Sequence, residues 1–214
     1  MKKSVLIIGA GQGLSRGVAE KFAAEGFAIN LISRNRGNLE RLKEHLNSKG
    51  IQVDYALADA GNTEELGKAI RELCNWNDGF DVVLYNAAVL KEKDILEETS
   101  ESLTQEFTIN VANALHALQA THDGLKQKQG AFLITGGGLA INPHPSYGSL
   151  SIGKAGIRSL AYQLHERLKD DGIYVGLLTV AGFITPDSAT HSPDVLADLF
   201  WKIYSERTAV EYKQ

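Results

Sequence analysis

The strongest constraint on this chain is an alternation that runs along almost all of it. Short apolar runs, SVLIIG (4–9), FAINLI (27–32), QVDYAL (52–57), FDVVLY (80–85), GAFLIT (130–135), IYVGLLTV (173–180) and the weaker TAVEY (208–212), recur through the sequence. Between them lie longer amphipathic stretches near 14–25, 36–48, 62–75, 99–122, 149–170 and 193–204. Runs of this length, rich in Val, Ile and Leu, predict strands, and the stretches between them carry apolar residues at helical spacing. Strands so apolar need cover on both faces, and a helix after each one supplies it. The pattern therefore predicts an α/β fold: a doubly wound parallel sheet of about seven strands with helices on both faces. With 214 residues, no linker and no shift in composition, a single domain spanning 1–214 is expected.

Charge and cysteine content exclude several partners. Twenty-six acidic residues against 22 basic ones give a formal charge of −4 with no basic block, which argues against nucleic acid and against an anionic membrane. The N-terminal MKKSVLIIGAGQG contains lysines and an apolar run, but the run meets glycine after about five residues, too short for a signal peptide or a membrane span. A single cysteine, Cys74, permits neither an internal disulfide nor a cysteine-based metal site, so no metal is expected and a reducing, cytoplasmic setting fits.

The first chemistry lies in the first turn. In IIGAGQGLSRG, residues Gly9, Gly11, Gln12, Gly13 and Leu14 follow a strand and open a helix, so backbone amides at the helix N-terminus can face a phosphate with no Cβ in the way. That is the Rossmann-type arrangement for a dinucleotide. The second strand then ends in LISRNR, about 20 residues further on, where a carboxylate would hold the ribose 2′-hydroxyl of NAD. Here stand Ser33 and Arg34, with Arg36 nearby. A guanidinium pairs with a 2′-phosphate that a carboxylate would repel, so the cofactor expected is NADP(H). The same arginines also fit the solvated start of a surface helix.

These features, together with others in the same order, resemble the short-chain dehydrogenase/reductase family from residue 4 to about 185. The family's glycine turn is matched by Gly9 and Gly13, with Ile8 and Ser15 replacing its opening threonine and last glycine. Asp59 in LADA matches the acidic residue that contacts the adenine, and YNAA keeps Asn86, Ala87 and Ala88 of the family's strand end. AGFIT, with Gly182 and Ile184, resembles the turn that embraces the nicotinamide, with Ala181 in place of its proline. Of the family's Asn, Ser, Tyr and Lys tetrad, Asn110 matches the asparagine that holds a water in the proton relay. Lys154 matches the lysine that grips the nicotinamide ribose and lowers the tyrosine's pKa.

The tyrosine position is Leu150 and the serine position is Gly137. Neither carries a hydroxyl, whereas carbonyl reduction needs a proton on oxygen as well as a hydride on carbon. Tyr147 is one replacement, although seven helical residues from Lys154 is about 10 Å against about 6 Å for the usual four. His144 is a second, and Thr135, Ser149 and Ser151 add hydroxyls nearby, Ser149 also fitting a helix cap. A short tail after AGFIT implies a reduced substrate lid, and the apolar excess of VANALHAL and IRSLAYQL predicts a homodimer through the helices near 99–122 and 149–170. Two functions fit the residues. One is an NADP(H)-dependent oxidoreductase of a small carbonyl, alcohol or activated double bond with a non-standard proton donor. The other is a catalytically silent NADP(H)-binding sensor or protein-interaction module.

Overall fold

The structure, a computed structural model, describes residues 2–77 and 79–214. Among these, β1 (Ser4–Ile8), β2 (Ala28–Ser33), β3 (Val53–Leu57), β4 (Val82–Tyr85), β5 (Ala131–Thr135), β6 (Tyr174–Thr179) and β7 (Glu211–Lys213) form one sheet in the order β3-β2-β1-β4-β5-β6-β7. Every pairing is parallel. The chain winds outward from β1 to β3 and then returns to lay β4 on the other side of β1. That reversal opens a crevice above the carboxyl ends of β1 and β4, the place where such sheets bind ligands.

Helices α1 (Leu14–Ala24), α2 (Arg36–Ser48), α3 (Thr63–Asn77), α4 (Ser100–Phe107), α5 (Asn113–Lys128), α6 (Gly148–Arg167) and α7 (Pro193–Glu206) cover the sheet. Successive strand residues point to opposite faces and so build two cores. Val5, Ile7, Leu31, Leu84 and Leu133 pack with residues of α1, α2 and α7, including Phe22, Leu42 and Phe200. Leu6, Ile8, Ile32, Val83 and Phe132 pack on the other side with residues of α3, α5 and α6, including Ile70, Ala117 and Ile157. Burial of each such large side chain contributes about 1.5–3 kcal/mol, and every residue of β1, β4 and β6 is buried.

Two expectations need correction. The stretch at 99–122 is not one α-helix: α4 ends at Phe107, Thr108–Ala112 form a π-helical turn, and α5 follows. Phe107, the last residue of α4, is 39% exposed. The last strand lies at Glu211–Lys213 rather than 208–212.

Candidate cofactor and active site

The turn from β1 into α1 is built as a dinucleotide requires. Gly9 has φ +85°, and a Cβ there would stand 2.5 Å from the Ala87 backbone nitrogen, so only glycine fits between the ends of β1 and β4. At Gly11 and Gly13 a Cβ would meet nothing within 4 Å, leaving the backbone of the turn open. Gly13 is the N-cap of α1 and brings no capping side chain, so the helix start keeps its amides for an anion. Leu14 is buried in the core and offers the site its backbone alone, while Gln12 reaches across to donate to the Asn38 carbonyl at 3.2 Å.

Ser15, in place of the family's glycine, ties this turn to the neighbouring strand. Its hydroxyl donates to the Gly9 carbonyl at 3.1 Å and accepts from Asn86 Nδ2 at 2.9 Å. Asn86 thus clamps the β1 and β4 ends together. Beside them lies a cavity of about 270 Å³, lined by residues 8–10, 32–34, 58–60, 86–90 and Ile109. Ser33, Arg34, Asp59, Ala87 and Ala88 therefore share one cleft with Gly9. Arg34 is at its rim, 3.6 Å from the Asp59 carboxylate, with the side chains 69% and 41% exposed. The open helix start, the glycine that alone permits close approach, and a guanidinium at the rim fit a phosphorylated dinucleotide. A broader depression on the outside of α4, lined by Ser100, Glu101, Thr104 and Gln105, is walled by one exposed helix and gathers no comparable chemistry.

The second half of the site lies between β5, the π-helical turn and α6. Asn110, 5% exposed, accepts from the Val89 backbone N–H through Oδ1 at 2.8 Å, and its Nδ2 has no hydrogen-bond partner. The amide lies against Gly153, where a Cβ would be 2.7 Å from Nδ2. The adjacent Lys154 sends its stem past Gly137, with Cδ and Cε each 3.2 Å from where a Cβ would stand, and donates from Nζ to the Thr135 carbonyl at 2.9 Å. Burial draws its pKa from the usual 10.5 down to about 8. Thr135 Oγ1 is buried without a partner, and Leu150 is a buried apolar side chain, 7% exposed.

The structure sets Asn110 against Gly153, the residue before Lys154, and bonds Tyr147 elsewhere. Its phenol donates to Glu92 at 3.3 Å, and the Glu92 charge raises its pKa. His144 is exposed, and its Nδ1 accepts from the Ser146 backbone. Ser149 does not cap α6, whose N-cap is Tyr147 with no side-chain bond; its hydroxyl donates to Glu106. Gly182 abuts His191, whose Nε2 would be 3.0 Å from a Cβ there, and Ile184 is 38% exposed beside it in sequence.

A pair of buried carboxylates, each met by a more exposed lysine, escaped the sequence reading. Glu106, which bonds Ser149, also pairs with Lys91 at 3.3 Å. Glu98, its side chain 3% exposed, is bonded by Ser102 and paired with Lys93 at 3.2 Å, contacts that hold its carboxyl below the usual range. Together these pairs fasten the segment 91–98 to α4 and α6. The signal was present: Glu106 stands four residues before Asn110, where an inward helix face calls for an apolar side chain.

Comparison with known proteins agrees with this geometry. Residues 3–195 match the family model described as short chain dehydrogenase. A diacetyl reductase [(S)-acetoin forming] of Staphylococcus epidermidis is 32% identical over 179 residues, 82% of this chain and 69% of that protein. An L-2,3-butanediol dehydrogenase of Corynebacterium glutamicum is 31% identical over 180 residues, 80% of this chain and 68% of its own. Among solved structures, L-sorbose reductase from Gluconobacter frateurii complexed with NADPH and L-sorbose has a TM-score of 0.91 at 21% identity, over 99% of this chain and 94% of that one. The last likeness shows the fold; the first three carry sequence as well, and the chain belongs to the short-chain dehydrogenase family.

Proposed function

We propose that the chain is an NADP(H)-dependent oxidoreductase acting on a small carbonyl compound or the matching alcohol, with an active site that departs from its family. The observation that carries this reading is Lys154, a desolvated ammonium at the carboxyl end of β5 beside the buried Asn110. Names of relatives support the substrate class: diacetyl reductase and L-2,3-butanediol dehydrogenase. Neighbouring structures support the cofactor, since several hold NADP or NADPH. When bound, that cofactor supplies or accepts a hydride. The chain's own part is to seat a diphosphate on the turn of Gly9, Gly11 and Gly13, to pair Arg34 with the 2′-phosphate, to set Asp59 by the adenine and to hold the nicotinamide end with Lys154, Gly182 and Ile184.

The departure is at positions 137 and 150, where glycine and leucine provide no hydroxyl. That observation favours a second reading, a catalytically silent NADP(H) sensor or interaction module. One experiment separates the two: titrate the purified protein with NADPH, then follow NADPH consumption with diacetyl, acetoin, small aldehydes, ketones and quinones. Consumption with a small dicarbonyl or ketone is expected. Tight binding with no consumption across the panel selects the sensor.

A further inference from the structure

We infer that Gln214, just past β7, is the positioning residue of the loop 181–190, holding that loop in place for the nicotinamide end of the cofactor. The inference rests on the NADP(H) reading above, in which Gly182 and Ile184 of this loop meet the nicotinamide, and it names the residue that keeps them there.

The loop leaves β6 beside the second half of the site. The Gly138 N–H donates to the Val180 carbonyl at 2.9 Å, and a Cβ at Gly138 would stand 3.1 Å from the Ala181 Cα. The neighbouring Gly137 is the residue along which the Lys154 stem runs. From there the chain has little of its own to fix it. Residues 181–187 are all exposed, Phe183 at 84%. Among the described residues the hydrogen bonds of 182–187 stay inside the loop, where the Thr185 carbonyl accepts from the Ser188 N–H at 3.2 Å. A segment with so few contacts opens easily unless its ends are held.

One residue holds both ends. The Gln214 N–H donates at 3.0 Å to the carbonyl of Thr179, the last residue of β6, and its main-chain oxygen accepts from the Ala181 N–H at 2.7 Å. Its side chain turns to the far end, where Nε2 donates to the Thr190 carbonyl at 3.1 Å. Entry and exit of the loop are thereby joined through a single residue. His191 closes the exit further. Its ring lies 3.0–3.2 Å from where a Gly182 Cβ would stand, its Nδ1 is bonded to Thr190 Oγ1 at 2.8 Å, and its N–H donates to the Ser188 hydroxyl at 2.9 Å. Gln214 is itself anchored, because β7 pairs with β6 and Glu211 is bound by Arg158, Tyr162 and Thr179. Closing a loop in advance removes part of the ordering cost that binding would otherwise meet. The gain falls on the nicotinamide half of the cofactor and leaves the adenosine half, at Arg34 and Asp59, untouched.

The test uses the full chain and two ligands: NADPH, and adenosine 2′,5′-bisphosphate, which carries the 2′-phosphate and no nicotinamide. Gln214→Ala removes the side-chain bond and keeps both main-chain contacts. Gln214→Glu keeps the size and turns the donor into an acceptor facing a carbonyl. In both variants NADPH should bind about three- to tenfold more weakly by calorimetry, the range one hydrogen bond supports, while the bisphosphate stays within about 1.5-fold. Amide hydrogen exchange in 182–190 should quicken by a similar factor and stay unchanged in β1 and α1. Unchanged NADPH affinity, an equal loss for both ligands, or exchange in 182–190 that does not quicken each overturns the proposal and leaves the NADP(H) reading intact. An unmutated protein that binds no NADPH overturns that reading, and the role of Gln214 falls with it.

Discussion

At position 34 a guanidinium stands 3.6 Å from a carboxylate with most of its surface in water, so the Arg34–Asp59 pair contributes little by itself. A 2′-phosphate offers Arg34 a stronger, bidentate partner. Arg34→Ala is therefore expected to weaken NADPH by about 1.5–3 kcal/mol and to leave NADH nearly unmoved, which calorimetry with each cofactor would check. Equal affinities in the unmutated protein would remove the basis for NADP(H). Tyr147 presents the opposite case, a residue whose visible contact points away from the chemistry. Its bond to Glu92 joins the start of α6 to the segment 91–98. Tyr147→Phe should raise KM several-fold and keep kcat within about threefold; a fall of roughly 10²-fold in kcat would instead make this phenol the proton donor. The glycine turn was legible in the sequence because its parts are adjacent. The hydroxyl of Ser15 was not, since its partner Asn86 lies 71 residues away and only the sheet brings them together.

The π-helical turn at Thr108–Ala112 shows where element-level reading stops. Its residues keep a helical pattern, so the sequence reads on as one helix. The turn exists because Asn110 has to meet Val89 on one side and the bare backbone of Gly153 on the other, contacts between elements. The last strand was misplaced for a similar reason. Glu211, its side chain 4% exposed, fixes β7 by accepting from Arg158 at 3.0 and 2.7 Å, from Tyr162 at 2.8 Å and from Thr179 at 2.7 Å. Arg158 chiefly holds its pKa at about 2, below the ordinary 4.5. A carboxyl lowered in the folded state stabilises fully above the unfolded value and loses that effect as pH falls through the folded one. Glu211→Gln is expected to lower stability by about 1–3 kcal/mol at pH 7. The gap to the parent protein should close as pH drops from 4.5 toward 2. Urea midpoints at neutral and acid pH measure both.

For the whole molecule, alternation of apolar runs and helices carried nearly all of the architecture, because a parallel sheet buried on both faces leaves few other patterns. No helix among the described residues is long and apolar enough to cross a membrane. Assembly follows from what the fold leaves uncovered. Phe107, Ile152 and Tyr162 on α4 and α6 are 39%, 40% and 41% exposed, and we propose that a second copy covers them. Light scattering should give twice the chain mass of 23.2 kDa, and Ile152→Asp should shift it toward one. A concentration-independent monomer would rule this surface out. The molecule also carries a record of constraint in the contact between Gly137 and Lys154. A serine Cβ at 137 would stand 3.2–3.3 Å from three carbons of the lysine stem, so the stem has to give by a few tenths of an ångström to admit it. A side chain at position 137 and the path of the Lys154 stem are thus mechanically coupled: whatever fills one resets the other.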